Sequence, residues 1–355
     1  MDASLNCIMA EARAEHAFPG AVLRVSERGR LIHEMAFGTL DYDHGQPVES
    51  STVYDLASLT KPLATVPALM RLIQVGKLRL DSSLGELIDG YDWGEKKNVT
   101  VAHLLSHTSG LPAYRPYYQA LMAVDSALRP RALQRFLVDE ALERPPGKAV
   151  CYSDIGFMLL AWVIERASGL PLGVFVAQEV YAPLGIDDLY YIRIPDRLGR
   201  SERCAPTERC PWRRKLLQGE VHDDNAWAMG GEGGHAGLFG TASGVDRLLK
   251  AFIVPGAGSA SVFEGALLKR FVAEWDHCGR ALGFDMPSSE GSSSGRYFPK
   301  TSVGHLGFTG TSFWMDPDRG LVVILLTNRV HPCRDNPGIK RFRPRIHDAV
   351  MAALG

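Results

Sequence analysis

The protein has 355 residues, of which 46% are hydrophobic and 22% charged, and a formal net charge of −1. This length gives room for two lobes and a substantial core, and the composition excludes the disordered, collagenous and membrane classes. A near-zero charge offers no basic field for a phosphate backbone, which argues against nucleic acid as a partner.

From Met1 to Cys7, and on through Glu11, Arg13 and Glu15, there is no apolar leader core, so the predicted location is cytoplasmic; a leader already removed would make it periplasmic or secreted. The longest apolar runs, Phe157 to Ile164 and Leu321 to Leu326, fall well short of the roughly 20 residues that cross a bilayer. The 6 cysteines form no CxxC pair, which fits a reducing compartment and leaves a Cys204 to Cys210 bridge open.

In chain order, alternating apolar residues at Ala21 to Ser26 and Leu31 to Phe37, around Arg28, Gly29 and Arg30, predict a β-hairpin. Ser58 to Val75 reads as a helix stopped by Gly76 and kinked at Pro67. Thr100 caps a short helix through His107. Asp154 caps a stronger one, whose Ile155, Met158, Leu159, Trp162 and Val163 form an apolar face before Gly169. The stretch from about Gly185 to Thr301 is rich in Gly, Ser and Pro, with helical pieces near Val245 to Phe252 and Ala266 to Glu274. Thr311 to Met315 and Leu321 to Thr327 flank the turn Asp316 to Gly320 as a second hairpin, and Ile339 to Leu354 is helical in pattern despite Pro344. If the two hairpins share one antiparallel sheet, the helical middle is an insertion. The expectation is a single α+β unit: a sheet lobe of about 1–57 and 302–355, a helical and loop-rich inserted lobe of about 58–301, and a site between them.

Three segments carry chemistry. Ser58, Leu59, Thr60 and Lys61 fit SxxK, which projects a serine and a lysine to the same side of a helix start. A serine hydroxyl is a poor nucleophile until a base or a cation activates it, and Lys61 is placed to do that. Pro145 to Asp154 brings Tyr152 and Asp154 to a helix N-terminus, where a phenol beside an ammonium can have its pKa lowered and exchange protons with the serine. Gly304, His305, Leu306, Gly307, Phe308 and Thr309 precede an apolar strand, and glycines there permit close backbone approach to a ligand and an N–H aimed at an oxyanion.

The order SxxK, Tyr-Ser-Asp, His-Leu-Gly resembles the family of class C β-lactamases, D-alanyl-D-alanine carboxypeptidases and related esterases. Phe18-Pro19-Gly20 and the run Val101 to Pro112 share the resemblance, which covers nearly the whole chain. It implies a β-lactamase/transpeptidase-like fold and a penicillin-binding-protein-like serine hydrolase. That hydrolase would work through an acyl-enzyme on an ester, amide or D-amino-acid peptide, with no cofactor. By the same resemblance Ser58 is acylated and Lys61 and Tyr152 handle protons. Asp154 stands where an asparagine usually contacts the substrate amide, His305 where the family often has lysine, and Phe308 supplies the second oxyanion-hole N–H. Gly219 to Ala226 and Gly234 to Phe239 look like a branch linked to bacterial cell-wall turnover. Histidine at 305 makes the charge there depend on pH, and Leu306 lacks a hydroxyl for a substrate carboxylate, so the expectation is slow or absent β-lactam turnover with measurable hydrolysis of small activated esters.

Other patterns compete. Gly291 to Gly295 matches the GxSxG elbow around Ser293, but in a polar, serine-rich context rather than between a strand and a helix. His103 and His107 are spaced as metal ligands without the glutamate of HExxH, and His222, Asp223 and His235 could hold a metal from loops, although hydrogen bonding suits them better. Gly231 to Ala236 fits a loose dinucleotide fingerprint without a strand before it. The non-enzymatic alternative is an inactive penicillin-binding-like sensor or binding protein.

Overall fold

The computed structural model describes residues 2–43, 45–193, 203–253 and 262–355. The N-terminal strands β1 (Gly20–Glu27) and β2 (Arg30–Gly38) and the C-terminal strands β10 (Val303–Leu306), β11 (Ser312–Asp316) and β12 (Leu321–Thr327) join one antiparallel sheet. Its order is β2-β1-β12-β11-β10-β9-β8, where β8 (Arg280–Ala281) and β9 (Phe284–Asp285) come from the loop-rich middle. The closing pair is β1 with β12, registered from Ala21 opposite Thr327 to Glu27 opposite Leu321.

Strand β12 reads as an unbroken apolar run because both of its faces are covered. Leu321, Val323 and Leu325 pack with Leu23, Val25, Leu5, Met9, Ile346 and Val350 under two terminal helices, Asp2–Ala14 and Gly338–Leu354. Val322, Ile324 and Leu326 alternate to the other face and pack with Val22, Leu248 and Leu249, where the helix Ala242–Ile253 meets the main core. The helix Asp2–Ala14 went unread in the sequence, although Leu5, Met9 and Ala12 line one side of it and are buried.

The helical lobe departs from the sequence expectation in two places. Residues 57–74 do not form one α-helix: a 3₁₀ turn (Ala57–Leu59) leads into a π turn (Lys61–Thr65) and only then into an α-helix (Val66–Gln74). Asp154 is not the cap of its helix. Ser153 is, accepting from the Gly156 N–H at 3.2 Å, and the helix Asp154–Ser168 ends at left-handed Gly169. Thr100 caps Val101–Leu105 as expected. A second, small sheet is made of β3 (Tyr54–Asp55), β7 (Leu238–Gly240) and β4 (Leu189–Tyr191), and β5 (Arg209–Cys210) pairs with β6 (Lys215–Leu216) in a short hairpin. Cys204 and Cys210 are buried without a disulfide between them. Among the described residues no single helix is long and apolar enough to cross a membrane; Asp154–Ser168 with Leu172–Leu184 reaches the composition only as a bent pair, and most of Asp154–Ser168 is buried core.

Candidate active site

The serine sits on a turn held from several sides. Ala57 is in the left-handed region at φ 47°, which costs an alanine about 1 kcal/mol or more unless the surroundings impose it. Asp55 imposes it: one carboxylate oxygen accepts the Ala57 N–H at 2.8 Å and the other the His222 N–H at 2.7 Å. Burial pushes the Asp55 carboxyl up, against the pull of those two donors. From the far sheet Thr309 donates to Asp55 O at 2.7 Å and Thr311 to Leu56 O at 3.1 Å, tying the turn after β10 to the serine turn. Ser58 lies in the 3₁₀ turn and Lys61 opens the π turn that follows it, three residues on.

Lys61 is wholly buried, while Ser58 is partly open to solvent. The ammonium Nζ lies 3.2 Å from Ser58 Oγ, 3.0 Å from His235 O and 2.7 Å from Asp154 Oδ1. It also sits 4.8 Å from the Tyr152 ring centroid. Burial alone would push the lysine down, but the Asp154 carboxylate and then Tyr152 outweigh it, and the amine is held above its ordinary value. Lys61 and Ser58 both favour the charged form of the Tyr152 hydroxyl. Burial raises this phenol, Lys61 opposes the rise and Asp154 adds to it, so Tyr152 ends above its ordinary value. The lowered phenol expected from the sequence is not what this site provides, because the ammonium arrives with its own counter-ion.

Tyr152 is positioned by a ladder between two loops. Glu143 N donates to Gly110 O, Gly147 N to Thr108 O and Cys151 N to His107 O, each at 2.8 Å. Ser153 N donates to His107 Nδ1 at 3.0 Å, its hydroxyl to Pro112 O at 2.6 Å, and Asp154 N to Ala113 O at 2.9 Å. His107 therefore carries its proton on Nε2, and its ring packs against Tyr152 at 4.5 Å. Burial, with Arg280 and Lys61 nearby, keeps it neutral. His103 uses Nδ1 on its own helix start, facing the Thr100 N–H at 3.2 Å.

His305 lies on β10 with its ring 5.9 Å from that of Tyr152. Its Nδ1 donates to Leu306 O at 2.9 Å, leaving a buried Nε2 without a partner. Burial pulls this imidazole down to about 4, with Lys61 and Arg280 opposing charge on it and Asp285 favouring it, so His305 is neutral at pH 7. Arg280 lies over the Tyr152 ring and is paired with Asp285. Gly307 must be glycine, since a Cβ there would meet Leu56 O at 2.7 Å. Phe308 is 49% exposed, stacks on His222 at 5.5 Å, and is covered by Arg329.

All seven residues singled out in the sequence thus gather around one point: Ser58, Lys61, Tyr152 and Asp154 in direct contact, His305 beside the tyrosine, Gly307 and Phe308 across from the serine turn. Asp55 was missed, and its anchoring of Ala57 and His222 had no sequence signal. His235 pairs with Asp223 at 2.9 Å and gives its carbonyl to Lys61. Burial works against the Asp223 charge, but His235 and the Ala226 N–H hold its carboxyl well below the usual range. His222 instead meets Glu208 at 3.1 Å. Ser293 lies in an irregular turn, its carbonyl taken by His347, with no strand and helix around it as an elbow needs. The glycines of 231–236 serve packing: a Cβ on Gly234 would overlap Phe157 O, and Gly234 O accepts from Thr65 at 2.7 Å.

An antiparallel sheet whose turn after β10 closes over a serine with a buried lysine three residues on is the layout of the penicillin-recognising serine hydrolases. The chain belongs to the β-lactamase family, whose profile matches residues 5–345. It is similar to N-acetylmuramyl-L-alanine amidase of Bacillus subtilis (strain 168), 33% identical over 353 residues, covering 91% of this chain and 80% of that protein. It is also similar to an Escherichia coli (strain K12) protein named "Putative D-alanyl-D-alanine carboxypeptidase", 29% identical over 347 residues, covering 88% of this chain and 79% of that one. Among solved structures the fold matches EstCE1, a hydrolase with promiscuous acyltransferase activity, with a TM-score of 0.76 at 20% identity over 98% of this chain and 97% of that one. The octameric penicillin-binding protein homologue from Pyrococcus abyssi matches with a TM-score of 0.75 at 21% identity, over 100% and 77%. The protein is a β-lactamase-family serine hydrolase.

Proposed function

We propose that the protein cleaves an amide or ester of a cell-wall type peptide through an acyl-enzyme on Ser58. The observation that carries this reading is the buried Lys61 ammonium 3.2 Å from Ser58 Oγ and 4.8 Å from the Tyr152 ring centroid. Ser58 Oγ bonds to the substrate carbonyl carbon and the carbonyl electrons move to oxygen, where the Ser58 and Phe308 N–H groups donate to it. The serine proton passes to Tyr152 Oη as the phenol gives its own proton to the leaving nitrogen or oxygen. The bond to the leaving group then breaks, and no free tyrosinate is required. Water enters by the same route in reverse and releases the acid. The cell-wall class comes from the names of the relatives, an amidase and a carboxypeptidase.

The site is poor in free positive charge near the tyrosine. Lys61 is paired with Asp154, Arg280 with Asp285, and His305 is neutral. A β-lactam carboxylate therefore finds little to hold it, and slow β-lactam turnover is expected beside measurable hydrolysis of activated esters. The test is fluorophosphonate labelling of the protein and of Ser58→Ala, with the adduct located by peptide mass spectrometry, followed by turnover of esters, muropeptides and a cephalosporin. A single adduct on Ser58, lost in the variant, supports the reading. An unlabelled protein beside a labelled control hydrolase would instead favour a binding protein, and fast cephalosporin turnover would overturn the substrate argument.

A further inference from the structure

The carboxylate at 154 does something an asparagine could not. Lys61 Nζ donates to Ser58 Oγ at 3.2 Å and His235 O at 3.0 Å, and Asp154 Oδ1 stands 2.7 Å away as its counter-ion. The shortest of the three distances is to the carboxylate. An asparagine amide at this position could both accept from and donate to a substrate amide, whereas a carboxylate only accepts, and here one oxygen is already committed to Lys61. A wholly buried ammonium without a counter-charge loses several kcal/mol of hydration and tends to shed its proton.

We propose that Asp154 is a positioning residue acting through Lys61: it fixes the lysine as an ammonium aimed at Ser58 Oγ, in place of the substrate-amide contact expected from an asparagine. The inference rests on the acyl-enzyme reading above and gives Lys61 one role within it. The lysine acts as a fixed charge that steadies the developing oxygen at Ser58, and the serine proton leaves through Tyr152. The other charged or titratable groups around Lys61 agree with this. Tyr152 presents its ring and hydroxyl, Asp223 on the His235 side is an anion, and His107, His305 and Arg280 surround the tyrosine from the opposite loops and strands. His107 and His305 are neutral, Arg280 is paired, and Asp154 supplies the contact charge.

The experiment follows the rate of Ser58 labelling by a fluorophosphonate against pH in the intact protein, Asp154→Asn and Asp154→Glu, with the ultraviolet absorbance of tyrosinate recorded in parallel. In the unaltered protein the rate is expected to hold through the ordinary lysine range. In Asp154→Asn the alkaline loss of rate should move down by about 1 to 3 pH units and precede tyrosinate formation, and Asp154→Glu should restore it. An alkaline limb that does not move, or one that coincides with tyrosinate, would overturn the proposal. So would an Asp154→Asn variant that labels normally and only raises KM for amide over ester substrates, because that is the signature of a substrate contact. If Asp154→Asn fails to fold, side-chain NMR titration of Lys61 in the unaltered protein decides: an ammonium persisting above the ordinary lysine value supports the assignment, and a neutral amine near pH 7 ends it. That titration needs no labelling, so failure of the acyl-enzyme reading, seen as an unlabelled Ser58 in the unaltered protein, is told apart from failure of this one.

Discussion

Asp55 shapes the nucleophile's turn without touching Ser58. Replacing it by alanine orphans the N–H groups of Ala57 and His222 in a buried setting, at about 1 to 3 kcal/mol each, and removes what holds Ala57 left-handed. Asp55→Ala is therefore expected to lower the denaturant midpoint and, in the fraction still folded, to slow labelling of Ser58. An unchanged labelling rate in folded protein would show that the turn holds itself. His305 gives a second prediction. With its imidazole held down to about 4, it stays neutral as pH falls from 7 to about 5 and gains a proton only near 4. The kcat/KM for an uncharged ester should carry no histidine limb from this residue near its ordinary value of 6.5. A limb there that vanishes in a His305 variant would mean that water reaches the ring.

Between elements, the ladder from 107–113 to 143–154 decides where Tyr152 stands. Gly110 is its tightest point: φ is 80°, and a Cβ would overlap the Arg144 carbonyl oxygen. Gly110→Ala must break the ladder or strain it, so we expect a loss of more than about 2 kcal/mol of stability together with slowed Ser58 labelling. A folded variant with normal labelling would show that Tyr152 is placed by its helix alone. Much at this scale was legible in the sequence, because it rests on local pattern. Period-two alternation marked β1 and β2, the turn Asp316 to Gly320 marked β11, Gly169 marked a helix end, and SxxK marked Ser58 and Lys61. Two-residue strands such as β8 and β9 carry no periodicity, and the helix Asp2–Ala14 buries its apolar side against the sheet and a tail helix more than 300 residues away. The 3₁₀ and π turns of 57–65 were invisible because the apolar run reads as one α-helix kinked at Pro67, with nothing in it that marks a break in register. The pairings of Asp55 with His222 and of Lys61 with His235 span 167 and 174 residues, beyond the reach of any local signal.

At the scale of the whole molecule, the same burial that keeps the site neutral makes the fold sensitive to acid. His305 and His347 are both held down to about 4 by burial, and His107 lies well below 6.5 for the same reason. These residues sit at separate seams: His347 joins the tail helix to the turn at Ser293, His107 joins the two loops at Tyr152, and His305 lies on β10. A histidine whose folded pKa is depressed is neutral in both states above about 6.5. As pH falls below that value the unfolded chain takes up a proton that the folded one refuses, so its contribution to stability is lost progressively down to about 4 and changes no further below it. For His347 the difference between 6.5 and about 4 is worth on the order of 3 kcal/mol, a large share of a typical folding free energy. Denaturant midpoints should accordingly fall steeply from pH 6.5 to 4, and His347→Gln, which cannot titrate but can still donate to Ser293 O, should flatten part of that slope while leaving Ser58 labelling intact at pH 7. A slope that His347→Gln does not change would place the acid sensitivity at His107 and His305 instead. Asp223, held low by His235, acts below that window, since it loses its partner's support only as pH falls below the ordinary carboxylate range.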